Sequence, residues 1–229
     1  MNVFLGIQSP KVIYEVESKY NGTIQVVEFG KFRRVIVDGV VQSLSYDSQT
    51  CQRLYWGKII EVLKQNHPDV KKVLSLGLGG GTLAHLLNKN FPEAEMTSVE
   101  IDPEMVKIAN EYFGLGELTK HHIIIGDAMR VVIDPESFGI HEYEFDCLAI
   151  DIFNGDKFPE LGKSGNFIAA LKKLVMPGGI IIFNRVYKEA HQDDVNIFID
   201  YVSNFFERVQ NLVVAGYTNS DNVLIFART

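Results

Sequence analysis

The spacing of apolar residues along the 229-residue chain changes at Lys71. Before that point, residues 11–17, 23–29 and 33–41 carry Val, Ile, Tyr and Phe in short runs. Asn21-Gly22, Gly30-Lys31 and Asp38-Gly39 interrupt them, which predicts a small antiparallel sheet of hairpins. Residues 46–65 have helical spacing, with Leu54, Ile59, Ile60 and Leu63 on one apolar face, and stop before His67-Pro68. After Lys71, apolar strands at 72–77, 96–101, 122–126, 145–151 and 179–184 alternate with helical stretches at 81–90, 103–113, 163–175 and 190–207. That alternation predicts right-handed βαβ units and a mostly parallel sheet covered by helices on both faces. Two last strands, 210–216 and 222–227, are joined by a short polar turn and can only pair antiparallel. The expected chain is α/β: a small N-terminal antiparallel β-domain over 1–45, then a seven-stranded mostly parallel domain over 46–229.

One turn in this pattern carries chemistry. The strand ending in Leu76 runs into Gly77-Leu78-Gly79-Gly80-Gly81-Thr82 and then a helix, and the next strand ends in Glu100-Ile101. A glycine-rich strand-to-helix turn lets a ligand approach bare backbone, and an acid about twenty residues on accepts hydrogen bonds from ribose hydroxyls. A nucleoside is the expected ligand. In an open parallel sheet it lies beyond the carboxyl ends of the strands, so Gly126-Asp127-Ala128, Asp151 and Asn184-Arg185 join the same cleft. Asp127 is placed to accept from an adenine amino group, or else to cap the helix that follows. Asp102, before Pro103, reads as a helix cap. Asp151 ends its strand and opens the loop 152–165, where a carboxylate can take a proton from a nucleophile or cap the turn at Asn154-Gly155. Phe153 and Phe158 serve that loop either as apolar walls or as anchors. Met176-Pro-Gly-Gly179 reads as a helix stop and turn.

Composition narrows the partners. The formal charge of −7, with no Lys/Arg cluster beyond Arg33-Arg34, argues against nucleic acid and suits a cationic substrate. Two cysteines and six histidines show no disulfide or metal spacing, so no metal is expected. No apolar run approaches the roughly eighteen residues of a membrane span, and the N-terminus lacks a basic region followed by a long apolar core. The expectation is a cytoplasmic protein without a membrane partner.

These residues resemble the spermidine synthase family nearly end to end. Arg34-Val-Ile-Val-Asp-Gly-Val-Val-Gln42 is similar to the family's LDGVIQ strand, Val99-Glu-Ile-Asp102 and Gly126-Asp127-Ala128 to its ribose and adenine motifs, and Asp151 to the first aspartate of its D-S-x-D-P loop. The resemblance implies a class I methyltransferase-like (Rossmann-like) fold that binds S-adenosylmethionine or its decarboxylated form. It implies that Gln42, Gly77, Gly79, Gly80, Gly81, Glu100, Ile101, Asp127, Ala128 and Asp151 touch that ligand, with Asp151 as the base and Asn154 and Asp156 facing the substrate. It further implies a homodimer. The departures fall where polyamine chemistry is defined. Gly80 stands where the family's glycine turn has an aspartate, Asn154 replaces the second loop acid, and the family's Y-H-E cluster aligns with Cys51, Gln52 and Arg53. A variant branch with a G-L-G-G-G-T turn and a D-x-F-x-G-D-x-x-P loop is more similar.

Three readings follow. The first is methyl transfer from intact S-adenosylmethionine to a small-molecule acceptor, because Gly80 beside free N–H groups at a helix N-terminus can tolerate the carboxylate of the donor tail. The second is aminopropyl transfer in polyamine synthesis, with Asp156 as amine anchor. The third is a nucleoside-binding module without catalysis.

Overall fold

The computed structural model describes residues 9–153, 158–160, 164–187, 192–216 and 221–229. Two sheets carry the chain. The first is antiparallel, in the order β1 (Lys11–Ser18), β2 (Gly22–Phe29), β3 (Phe32–Val37) and β4 (Val40–Leu44). The second has seven strands in the order β10-β11-β9-β8-β5-β6-β7. Its strands are β5 (Lys72–Leu76), β6 (Glu95–Glu100), β7 (His121–Ile125), β8 (Phe145–Ile150), β9 (Val175–Tyr187), β10 (Glu207–Val214) and β11 (Asp221–Arg228). Strands β5 to β9 pair in parallel, and the hairpin β10–β11 joins β9 antiparallel, so the sheet is mixed as its pattern predicted.

Alternation along the central strands assigns the two faces. Leu148 and Ile150 of β8 and Ile181 and Phe183 of β9 pack with α5 (Ala128–Ile133), α6 (Gly165–Leu174) and α7 (Gln192–Val202). Cys147 and Ala149, with Ile180 and Ile182, pack on the other face with α2 (Tyr55–Asn66) and α3 (Thr82–Asn90). Strand β8 is buried at every position, as expected for a strand covered on both sides. The N-terminal sheet has its own core: Ile24, Val26, Val35 and Val37 close on Met105 and Ile108 of α4 (Pro103–Phe113). Asp102 fastens the same join. Its Oδ1 accepts from the Glu104 N–H as the α4 cap, and its Oδ2 accepts from Ser18 Oγ and from Asn21 Nδ2 at 2.6 Å.

Three element boundaries differ from the pattern. The helix expected over 46–65 is two helices, α1 (Gln49–Arg53) and α2, because Leu54 is extended and a Cβ on Gly57 would lie 2.0 Å from the Gln52 carbonyl oxygen. The 190–207 helix ends at Val202, where Ser203 Oγ bonds back to the Ile199 carbonyl and β10 begins at Glu207 to pair with Arg228. Met176-Pro-Gly-Gly179 lies inside β9: Val175 already pairs with Phe145, and the register shifts before Cys147 meets Ile180.

Candidate active site

The chain order β5-β6-β7 runs to one side of β5 and then returns to place β8 on the other, which makes the β5/β8 junction the switch point. A cavity of about 520 Å³ opens there at the carboxyl ends of the strands. Gly77 and Gly79 from the turn, Glu100 and Ile101 from β6, Asp127 and Ala128 from the start of α5, and Asp151 from β8 line it, together with Gln42 from the N-terminal sheet. Its size is within the range of small-ligand sites. Val99, Leu83, Met105 and Met129 supply apolar wall, which suits an adenine ring between polar ends.

The glycine turn is held by hydrogen bonds at every residue. The Gly77 N–H donates to the Val99 carbonyl at 2.8 Å, and those of Leu78 and Gly79 donate to Glu100 Oε2 at 3.1 and 3.3 Å. Gly80 donates to Ser43 Oγ at 2.7 Å, and Gly81 to the Leu78 carbonyl at 3.0 Å. Two consequences bear on the sequence reading. Each N–H from 77 to 81 already has a partner within the chain, so none of these five donors is free for a carboxylate. Gly80 and Gly81 also lie outside the cavity lining. A Cβ on Gly80 would meet Ser43 Cβ at 3.0 Å and Val35 Cγ2 at 3.1 Å, and one on Gly81 would meet Leu115 Cδ1 at 2.7 Å. Strand β4 sits directly on the turn. Thr82 Oγ1 clamps it further, donating to the Leu44 carbonyl at 2.7 Å and accepting from the Leu44 N–H at 3.1 Å. That clamp is what sets Gln42 at the cavity.

Glu100 is 8 % exposed and accepts from three backbone N–H groups, the third being Asp102 at 3.0 Å from Oε1. Burial raises its carboxyl above the ordinary value, and the three donors pull the other way. Asp127 caps α5, its Oδ1 accepting from the Met129 N–H at 2.8 Å, and it also lines the cavity.

At the other end, Asp151 receives two side-chain donors. Tyr55 Oη lies 2.9 Å from Oδ2, and Asn184 Nδ2 lies 2.8 Å from Oδ1. Burial raises the Asp151 carboxyl and the two donors oppose that rise; burial and the neighbouring carboxylate push the Tyr55 phenol well above its ordinary value, so it stays a donor. The Asp151 carbonyl oxygen would lie 2.2 Å from a Cβ on Gly77, which is left-handed at φ +92°. Glycine there is what lets β8 end against the turn and brings the carboxylate beside the cavity.

Tyr55 and Trp56, which line the cavity, were not anticipated. The sequence reading placed the family's Y-H-E cluster at Cys51, Gln52 and Arg53, which precede the helix break at Leu54. Cys51 is wholly buried, and the tyrosine that reaches Asp151 is Tyr55, followed by Trp56 and Gly57. The signal available was the Tyr-Trp pair within the helical run before His67-Pro68. The two phenylalanines of the following loop divide the roles offered to them: Phe153 lines the cavity, while Phe158 is buried against Phe198 with the Arg185 guanidinium 4.5 Å from its ring centroid. Asn154 and Asp156, expected to face the substrate, lie outside the described residues. Among the described residues no group of acids, histidines and cysteines is arranged to hold a metal, and no helix is long and apolar enough to cross a membrane.

Residues 52–228 match the model of the spermine/spermidine synthase domain. The chain is 30 % identical over 179 residues to a polyamine aminopropyltransferase of Vibrio vulnificus, covering 76 % of this chain and 58 % of that protein. It is 35 % identical over 134 residues to the Drosophila melanogaster eEF1A lysine and N-terminal methyltransferase homolog, covering 54 % of this chain and 19 % of that protein. The chain thus spans less than two thirds of either relative. Among solved structures, a probable spermidine synthase from Corynebacterium glutamicum superposes with a TM-score of 0.78 at 16 % identity, over 95 % of this chain and 80 % of that one. Human methyltransferase-like protein 13 in complex with SAH superposes with a TM-score of 0.61 at 21 % identity, over 79 % and 82 %. The turn, the β6 acid and the strand order describe the same fold that these matches describe, and the chain belongs to the spermine/spermidine synthase domain family.

Proposed function

We propose that this protein transfers a carbon group from an S-adenosylmethionine-type sulfonium to an amine, with Asp151 as the base. The observation that carries this is the Asp151 carboxylate, held at both oxygens by Tyr55 and Asn184 and set beside the glycine turn by the Gly77 contact. Glu100 would accept from the ribose hydroxyls, Asp127 from the adenine amino group, and Gly77 and Gly79 would lie against the nucleoside tail. The sulfonium makes the attached carbon electrophilic when bound. What the chain supplies is alignment and proton removal: the amine is held in line with the C–S bond, its lone pair forms the new C–N bond, the C–S pair returns to sulfur, and Asp151 takes the proton.

Methyl transfer to a small-molecule amine is the preferred form of this reading. No acid stands at Gly80 to hold the ammonium of a decarboxylated donor, and a Cβ there would press on Ser43 Cβ at 3.0 Å and Val35 Cγ2 at 3.1 Å. Aminopropyl transfer stands as the second reading because of the charge of the cavity: Glu100, Asp127, Asp151 and Glu160 line it, with no Lys or Arg among the described lining residues. That surplus favours a cationic ligand. The Vibrio relative is named for aminopropyl transfer and the Drosophila relative for methylation of protein amines, so an amine acceptor is common to both.

Calorimetric titration with S-adenosylmethionine and with its decarboxylated form separates the readings. Tighter binding of the intact donor is the expected result. Preference for the decarboxylated form would reverse the order of the two readings, and binding of neither would end both.

A further inference from the structure

The Asp151–Asn184 hydrogen bond belongs to a longer chain. Asn184 sits at the carboxyl end of β9 and is 1 % exposed; while its Nδ2 donates to Asp151, its Oδ1 accepts from Asn222 Nδ2 of β11 at 2.9 Å. The antiparallel register puts Asn222 opposite Val186 and Leu224 opposite Asn184, so the two asparagines are diagonal neighbours on one face of the hairpin. Asn222 itself does not line the cavity.

An amide side chain has two nearly isosteric ends, and only its partners decide which end points where. Turned by 180°, Asn184 would set its carbonyl oxygen against Asp151 Oδ1. Two acceptors can face each other there only if Asp151 carries a proton to donate. The donor on Asn222 opposes that turn, because it would then face the Asn184 amino group. We propose that Asn222 is a positioning residue that locks the Asn184 amide with its amino end toward Asp151, and so keeps that carboxylate an acceptor, ready to receive a proton from the nucleophile. The value of this to catalysis rests on the proposed role of Asp151 as base; the locking itself does not.

The surroundings leave few other groups to set the protonation of Asp151. From α2 the facing group is Tyr55, a donor to the other oxygen. From β6, the β7–α5 junction and the segment 158–160 the cavity receives Glu100, Asp127 and Glu160, all acids. From β9, Arg185 follows Asn184 but points to the opposite face, bonded to Asp194 at 2.6 Å and lying over Phe158 and Phe198. Among the described residues no cation lines the cavity beside Asp151, and its two side-chain donors are neutral, one of them oriented by Asn222.

The test needs no donor or acceptor. Aspartate labelled with 13C at the carboxyl carbon is titrated by NMR in the full chain, with Asp151→Asn used to assign the resonance. Asn222→Asp keeps the shape and exchanges the donor for an acceptor; Asn222→Leu removes both. In both variants the Asp151 midpoint is expected to rise by about one pH unit, a tenfold change in proton affinity, more in Asn222→Asp. A cross-strand pair that serves stability alone would lower the melting temperature and leave the midpoint in place. An unchanged midpoint in a folded Asn222→Asp protein overturns the proposal. Should Asn222→Asp fail to fold, Asn222→Leu decides by the same criterion. If the midpoint moves but Asp151→Asn leaves transferase activity intact, the lock stands and the functional reading fails.

Discussion

The acids at the two ends of the cavity draw their hydrogen-bond partners from very different distances along the chain. At the turn end, Glu100 reaches back 22 and 21 residues to Leu78 and Gly79 and two residues forward to Asp102, and Asp127 caps its own helix. At the Asp151 end the partners are 96 residues away at Tyr55 and 33 away at Asn184, with Asn222 a further 38 beyond Asn184. The first end is made mostly of backbone donors and glycines without side chains. The second is made of side chains whose geometry depends on four separate elements. The hydrogen bonds of the turn thus involve neither α2 nor β11, whereas those at Asp151 involve α2 directly and β11 through Asn184.

If the two ends are separable in this way, substitutions should divide into those that stop chemistry and those that loosen the fold or the ligand. The largest effect is expected from Asp151→Asn: turnover falls about 10²- to 10⁴-fold, the usual worth of a general base, while donor binding by calorimetry changes little. A comparable loss of binding would show that Asp151 belongs to both ends. Next comes Gly77→Ala, which adds a Cβ 2.2 Å from a carbonyl oxygen at a left-handed position. It should cost about 2–5 kcal/mol in urea unfolding, from strain and overpacking together.

Tyr55→Phe removes one of the two donors to Asp151 and should lower turnover about tenfold, in keeping with a hydrogen bond to a charged group. The sign of its pH effect is fixed. Burial has already raised the Asp151 carboxyl, and the donors favour its ionised form, so losing one raises it further. The fall in activity on acidification then begins at a higher pH than in the parent. An acid limb that stays in place, measured from kcat/KM against pH, would mean that Tyr55 acts through shape alone. The smallest effect belongs to the join between the sheets: Asp102→Ala should cost about 1–2 kcal/mol of stability, as for lost helix caps, and leave the pH profile unchanged.

Local pattern made much of this molecule legible. The change of period at Lys71, the interrupted N-terminal runs, the alternation of strands and helices and the antiparallel ending all correspond to the observed sheets. The turn, Glu100, Asp127 and Asp151 reach one cavity because the carboxyl ends of parallel strands share one edge. What could not be read was contact between distant elements. Nothing in Gly77–Thr82 announces that β4 lies on the turn, with Ser43 taking the Gly80 N–H and Thr82 gripping Leu44. The helix break at Leu54 was hidden because the apolar face runs on across it. What breaks the helix is a glycine over which the Gln52 carbonyl passes, and it brings Tyr55 to Asp151.

By itself the sequence determined the period of most elements, the strand ends that converge, and the acids and glycines that meet at the candidate site, since these depend on neighbours within about one βαβ unit. The tertiary structure alone decided which N–H groups remain free, which face of Gly80 is blocked and which donors meet Asp151. Those are questions of packing between elements tens of residues apart, where a displacement of one ångström makes or removes a hydrogen bond.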